Sequence, residues 1–340
     1  MAYTTIDNPE LYFQTKLWTG NGSAQALTFD GDEDMDLSAG GMVWMKPRSF
    51  ADNHILVDSV RGTNKIIRPN THIAESTLTT MLTAFGSDGF TTGDNDNVAR
   101  SSATFVAWCW KESATAGFDI VSYNGTGNDA TANISHAFSA VPEFMWIKCR
   151  TSAKNNTNYH VSLGNTKSFY IDETNAASTS YDYWADTTPT SSVFTVKDDG
   201  SYDEVNAASD QTFIAYLWSG KQGFSKFGSF LGTGNADGAY VHLGFRPAWI
   251  MIKKTNSSGS VNWYIFDNKR SPINAVDDFL KADTTDAEGG DGNGYVDFLS
   301  NGFKVRDTNT WLGSSGASFT YMAWAHAPFV NSKGVPANAR

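Results

Sequence analysis

A six-residue stretch without a polar side chain, Phe105-Val-Ala-Trp-Cys-Trp110, returns as Phe213-Ile-Ala-Tyr-Leu-Trp218 and again as Tyr321-Met-Ala-Trp-Ala-His326. The central alanines Ala107, Ala215 and Ala323 stand 108 residues apart (215 − 107 and 323 − 215). That spacing implies a unit of roughly a hundred residues present three times. An apolar run this short, rich in aromatic and β-branched side chains, fits a strand covered on both faces better than a helix. Its faces are unequal. Phe105/Ala107/Cys109, Phe213/Ala215/Leu217 and Tyr321/Ala323/Ala325 make a light face, and Val106/Trp108/Trp110, Ile214/Tyr216/Trp218 and Met322/Trp324/His326 a heavy one. The heavy face is expected to form the main core of each unit. The light face is expected to be approached by another layer, from an adjacent unit or a partner subunit; the alternative is that both faces fill one thick core.

The flanking sequence repeats the pattern. Glycine turns at Lys16–Gly22, Val121–Gly127 and Ser229–Asn235 open each unit. A strand ending in lysine follows at Met42–Lys46, Phe144–Lys148 and Trp249–Lys253, then a second strand at His54–Asp58, Asn158–Ser162 and Asn262–Asp267. A turn into a late strand comes at Ser87–Phe90, Ser191–Phe194 and Ser300–Phe303. The lysines are 102 and 105 residues apart (148 − 46 and 253 − 148), which places insertions in loops rather than strands. Six or seven short strands per unit predict an all-β chain of three tandem β-sandwich repeats, jelly-roll or concanavalin A-like, of about 105 residues each. The alternative is a six-bladed β-propeller with two blades of about fifty residues per unit. The expected boundaries are an N-terminal arm at 1–15, repeats at 16–111, 112–220 and 221–329, and a C-terminal tail at 330–340. Leu11-Tyr12-Phe13 is expected to dock the arm onto a repeat or a partner. Short helices are expected near Ile73–Met81 and, after Pro272, at Ile273–Leu280.

Charge narrows the partners. With 36 acidic against 25 basic residues, a net charge of −11 and no cluster of Lys or Arg, the chain is not expected to bind nucleic acid. No apolar segment is long enough for a membrane helix, so membrane insertion is not expected, and the first residues lack the pattern of a signal peptide, which points to synthesis in a cytoplasm. Cys109 and Cys149 lie in strand-like runs and are expected to be buried free thiols.

The sequence carries few marks of chemistry. The acidic run Asp30-Gly-Asp-Glu-Asp-Met-Asp36 could gather oxygen ligands for calcium, as could Asp94–Asn97, but neither has the spacing of a helix-loop-helix site, and a solvated acidic loop accounts for both. His54, His72, His136, His160, His242 and His326 are scattered, without metal-ligand spacing or a nearby nucleophile. No strand-borne pair of carboxylates of the kind glycoside hydrolysis needs is apparent. Asp58/Arg61 and Asp267/Arg270 put an acid and a base at a strand end in units one and three, where unit two has His160 and Leu163. A structural ion pair holding a turn is the expectation, worth ~0–1 kcal/mol if exposed. No catalytic, cofactor or metal residue is assigned, and no cofactor is expected.

Ile6-Asp-Asn-Pro-Glu-Leu-Tyr-Phe-Gln-Thr-Lys16, Phe105-Val-Ala-Trp-Cys-Trp-Lys111, Gly223-Phe-Ser-Lys-Phe-Gly228, Gly244-Phe-Arg-Pro247, Phe298-Leu-Ser-Asn-Gly-Phe303 and the tail Ala327–Pro336 carry a resemblance over essentially the whole chain. Together they resemble a repeated domain of unknown function in virion structural proteins of marine tailed phages, often described as tail-fibre-like. The resemblance implies a phage structural protein without fixing its place on the particle; with no paired carboxylates and no signal peptide, the expectation is a non-enzymatic virion protein, assembled in the host cytoplasm and exposed as a tail fibre, appendage or capsid decoration. Its implied partners are coat or tail subunits, further copies of itself, and host-surface polysaccharide. Trp184 and Trp311, in loop-like surroundings, would suit sugars or neighbouring subunits. The chain departs from a uniform repeat: unit one has the acidic run where unit three has Gly244–Pro247, and unit two lacks the Asp/Arg turn. The alternative function is a carbohydrate-active enzyme on a lectin-like sandwich.

Overall fold

The apolar closing stretch becomes an inner strand three times over. In a computed structural model, which describes residues 3–127, 130–198, 200, 203–256, 261–290, 292, 294–308 and 311–338, strand accounts for 41% of the chain and helix for 2%. The first two residues of the arm and the last two of the tail lie outside the described residues.

Three of the sheets share one strand order: opening, closing, lysine-bearing, outer. In the first sheet these are Phe13–Thr19, Thr104–Lys111, Gly41–Pro47 and Ile55–Asp58. In the second they are Phe118–Asn124, Thr212–Trp218, Phe144–Cys149 and Thr157–His160, and in the third Ser225–Leu231, Ser318–Pro328, Phe245–Lys254 and Tyr264–Asp267. A short fifth strand extends the second and third. All pairings are antiparallel. Smaller sheets face them, including the hairpin of Leu82–Gly86 with Gly89–Thr92 and the pair Thr131–Ser135 with Val193–Lys197. The result is a set of separate antiparallel sheets without a closed barrel, consistent with β-sandwiches, and the strand orders give no set of six four-stranded propeller blades among the described residues.

Strand pairing corrects the spacing of the third closing strand. The residue before the lysine lies opposite Ala107 in the first sheet and Ala215 in the second, but opposite Tyr321 in the third. Thr104, Thr212 and Ser318 are therefore equivalent, and each carbonyl accepts the backbone N–H of Arg48, Arg150 or Thr255. The next residue stacks on its opening-strand partner in every sheet: Phe105 on Trp18, Phe213 on Tyr123 and Phe319 on Phe230, with centroids 5.2, 5.2 and 5.1 Å apart.

The two faces do different jobs from those expected. The heavy faces of all three closing strands enter one buried cluster, with Trp44, Trp146 and Trp249 of the lysine strands. At its centre Trp110, Trp218 and Trp324, one from each sheet, touch in all three pairings at 6.2, 5.3 and 6.0 Å. The heavy face is thus shared between sheets rather than private to each. The light faces of the first two sheets form two separate clusters with their own small sheets, Phe105, Ala107 and Cys109 with Leu27, Leu82 and Phe90, and Phe213, Ala215 and Leu217 with Phe194 and Val196. In these two sheets the covering layer comes from the same part of the chain; in the third, Tyr321, Ala323 and Ala325 lie in the one large cluster with Met322 and Trp324, so both faces fill a single core there. Cys109 and Cys149 are buried and free.

Neither expected helix forms. Ser76–Thr77 pairs with Lys65–Ile66, and the N–H of Glu75 is taken by the Arg150 carbonyl, so this segment is held extended across to the second sheet. Val276 bridges Val296 and Phe279 bridges Gly289, which likewise keeps the other segment extended. Tertiary pairing overrides local propensity here. The α-helix that does form is one turn, Asp96–Ala99, capped by the Asn95 side chain. The arm docks through Phe13, which stacks on Trp324 of the third sheet, while Tyr12 meets Phe224 edge-on.

Candidate functional site

Each sheet meets the next through the end of its outer strand, and the contacts run in a circle. Asp58 of the first sheet accepts the Tyr216 hydroxyl of the second at 2.7 Å. His160 of the second bonds the Tyr321 carbonyl of the third at 3.1 Å, and Asp267 of the third accepts Trp108 Nε1 of the first at 3.0 Å. Asp58, His160 and Asp267 are at most 1% exposed, so these are core contacts.

Two of the junctions carry a complete charge network. Arg61 and Arg270 each lie 2.5 Å from the aspartate three residues earlier. Their second nitrogens reach Glu75 and Glu288 at 3.2 and 3.1 Å. Those glutamates also hold an arginine of the adjoining sheet, Glu75 with Arg150 at 2.9 Å and Glu288 with Arg48 at 2.7 Å. Burial works against the charge on Arg61, yet Asp58, Tyr216 and Glu75 hold its guanidinium above the ordinary arginine value. The expectation of a turn-holding ion pair worth little at the surface gives way to a buried one, in which loss of one partner strands a charge in the core.

The third junction replaces the set. His160, Leu163, Ala177, Thr255 and Met322 occupy the places of Asp58, Arg61, Glu75, Arg150 and Tyr216, and Ala177 keeps only the backbone bond, to the Thr255 carbonyl at 3.2 Å. Burial pulls the His160 ring down to about 4, so it is neutral at neutral pH. Its Nδ1 accepts the Ser162 N–H at 3.1 Å, which leaves the proton on Nε2 for Tyr321.

The three lysines lock the same junctions. Lys46, Lys148 and Lys253 are fully buried and donate to the carbonyls of Thr285, His72 and Thr174, each on the adjoining sheet's loop. Burial pulls each ammonium down to about 8. His54 spans a junction too, accepting Trp44 Nε1 at 2.9 Å and bonding the Lys281 carbonyl at 3.0 Å. A nucleophilic lysine would need an open approach, and these amines end on backbone oxygens inside the core.

Beside the junction without charges a cleft of about 420 Å³ opens, lined by Asn155, Ser168, Tyr170, Glu173, Tyr181 and Glu204 among others. Asn155 ties its two acids together: its N–H donates to Glu204 at 2.6 Å and its amide to Glu173 at 3.1 Å. Burial raises the Glu204 carboxyl to about 7 and that of neighbouring Asp172 to about 6. Sequence inspection missed this pair because Glu173 and Glu204 come from separate loops.

A family model described as a domain of unknown function, DUF7483, matches residues 8–328 in one stretch, across all three sheets and their junctions. The chain belongs to the DUF7483 family. No curated protein matches it.

The other residues singled out from this DUF7483 sequence are dispersed. In the acidic run, Asp30 pairs with Lys16 at 2.5 Å and Met35 is buried. Among the described residues no three His, Cys, Asp or Glu converge as a metal would require. His136 stacks on Phe138, His326 lies 2.6 Å from Arg246, His242 neighbours Tyr240, and His72 is exposed. Trp184 is 1% exposed and bonds the Lys167 carbonyl, so it is closed to a ligand, whereas Trp311 lies in a turn, half-buried and stacked on Tyr264 of the third sheet.

Proposed function

We propose that this DUF7483 chain is a non-enzymatic structural component of a tailed-phage particle, exposed as a tail appendage or a capsid decoration, which works by repeated contacts with coat or tail subunits. The observation that carries the reading is the ring of junctions. Large aromatic surface and buried charges are spent holding three topologically alike sheets together, which leaves polar loops of all three facing outward. If the three sheets are copies of one unit, as their shared strand order suggests, each contact made by one loop set is available three times. Linked sites of this kind raise avidity by about 10²–10⁴. The resemblance of Ile6–Lys16, Gly223–Gly228 and the tail to virion proteins supports the same reading. Mass spectrometry and labelling of purified particles test it: the chain should be present on the particle surface. Finding it free in infected cells and absent from particles would end the proposal.

A second reading, a carbohydrate-active enzyme, is favoured by Glu173 and Glu204 sharing one cleft with the Glu204 carboxyl raised to about 7, as a general acid requires. Incubation with algal and bacterial polysaccharides separates the two. The structural reading expects no new reducing ends, and release abolished by Glu204→Gln would establish the enzyme.

A further inference from the structure

We propose that the cleft beside the second sheet binds a short neutral saccharide, gripped by the Glu173 carboxylate, the Asn155 and Asn175 amides and the Ser168 hydroxyl, with the Tyr181 ring as a platform. The proposal rests on the surface-component reading only for where the sugar comes from, the polysaccharide of a host cell.

The volume, about 420 Å³, lies in the range of ~300–1,000 Å³ of small-molecule clefts. Glu173 is fixed from both sides, by Asn155 Nδ2 at 3.1 Å on one oxygen and Asn175 Nδ2 at 2.5 Å on the other. A carboxylate accepts about four hydrogen bonds, so both oxygens retain lone pairs for vicinal hydroxyls. Ser168 is 1% exposed and its hydroxyl has no partner, although its backbone is clamped to Ser178 by bonds of 3.0 and 2.8 Å. A buried hydroxyl without a partner costs free energy unless something supplies one. Tyr181 is half-buried and lies flat on Tyr183, with centroids 5.2 Å apart and planes at 13°, so its ring is held in place before any ligand arrives. Such an aromatic face suits the C–H surface of a pyranose.

The lining also discriminates. Among the described residues it contains two carboxyl groups and no lysine or arginine, which selects against sulfated and uronic sugars. A divalent cation fits no better, because no three ligand side chains converge among the described residues. Glu204, its carboxyl raised to about 7 by burial, can donate as well as accept near neutral pH.

The test is an array of short cello-, malto-, manno- and galacto-oligosaccharides with their sulfated and uronic counterparts, followed by calorimetry on the intact chain. At least one neutral series should bind, and Glu173→Ala and Tyr181→Ala should each weaken it at least about tenfold. Both variants should still unfold cooperatively and well above the assay temperature, since both side chains are partly exposed. Absence of any neutral binding, unchanged binding in both variants, a preference for the anionic sugars, or cleavage of the bound sugar would each overturn the proposal. The outcome is independent of particle labelling: a chain that binds sugar but is missing from particles sinks the virion reading and leaves the cleft standing.

Discussion

The junction between the first and second sheets and the junction between the second and third occupy equivalent places and are built from opposite chemistry. The first carries Asp58, Arg61, Glu75, Arg150 and Tyr216; the other carries His160, Leu163, Ala177, Thr255 and Met322. The difference follows from what the neighbouring closing strand offers. Tyr216 gives Asp58 a hydroxyl and Trp108 gives Asp267 an indole N–H, whereas Met322 has no proton to donate. A buried aspartate facing Met322 would be short of a donor, and its arginine and glutamate would be left without their anchor. A neutral histidine that donates to a backbone carbonyl solves the position without charge. Buried polar networks are stable complete or absent, and this chain shows both outcomes in one molecule.

The comparison can be broken most severely at the charged junctions. Asp267→Ala leaves the Arg270 guanidinium buried beside Trp108, and should cost ~3–5 kcal/mol by urea denaturation; a loss below about 1 kcal/mol would mean that water reaches the arginine. Tyr216→Phe removes only the donor to Asp58 and should cost ~1.5–3 kcal/mol. At the uncharged junction His160→Leu should cost ~1–3 kcal/mol, from the lost bond to the Tyr321 carbonyl and the Ser162 N–H left without its acceptor. The contrast between the junctions collapses if this variant proves worse than Asp267→Ala. Arg150→Gln, at the partly exposed outer end of the network, should cost no more than ~1 kcal/mol.

The finest test uses pH, because the lysines are alike where the rest of the junctions differ. Each has a folded value of about 8 against an unfolded value near 10.4. Between those limits the unfolded chain binds more protons than the folded one, so each lysine makes stability rise as pH climbs from about 8 to about 10. Lys148→Met and Lys253→Met should flatten that rise equally, as read from melting curves across the window. Unequal flattening would show that the surrounding charge network, and not burial, sets the lysine.

Much of the framework was legible because closing and lysine strands are continuous apolar runs with the period of a fully buried strand. The register of the third closing strand was misjudged by following Ala323. A better signal was in the same residues: Phe105 and Trp110, Phe213 and Trp218, and Phe319 and Trp324 each stand five apart, and it is these aromatics that stack and converge. The unequal faces were legible, but which neighbour each face would meet was not, since that depends on how three sheets close around one centre. The loss of Asp and Arg in unit two was visible at His160 and Leu163, while its cause, Met322, lies far along the chain. The cleft was hidden for the same reason: Glu173, Glu204 and Ser168 have no spacing that marks them, and only the loop packing beside Ala177 brings them together.

Trp110, Trp218 and Trp324 give the molecule an optical signature of its own completeness. Indoles this close, with planes steeply inclined, share their excited states, so their circular dichroism and fluorescence differ from those of three isolated tryptophans. Each ring is delivered by a different closing strand, and no two sheets can supply the third. A spectroscopist following refolding would therefore see that signal reach its full strength only when the last sheet arrives, whichever one it is, because any two sheets supply only one of the three pairs.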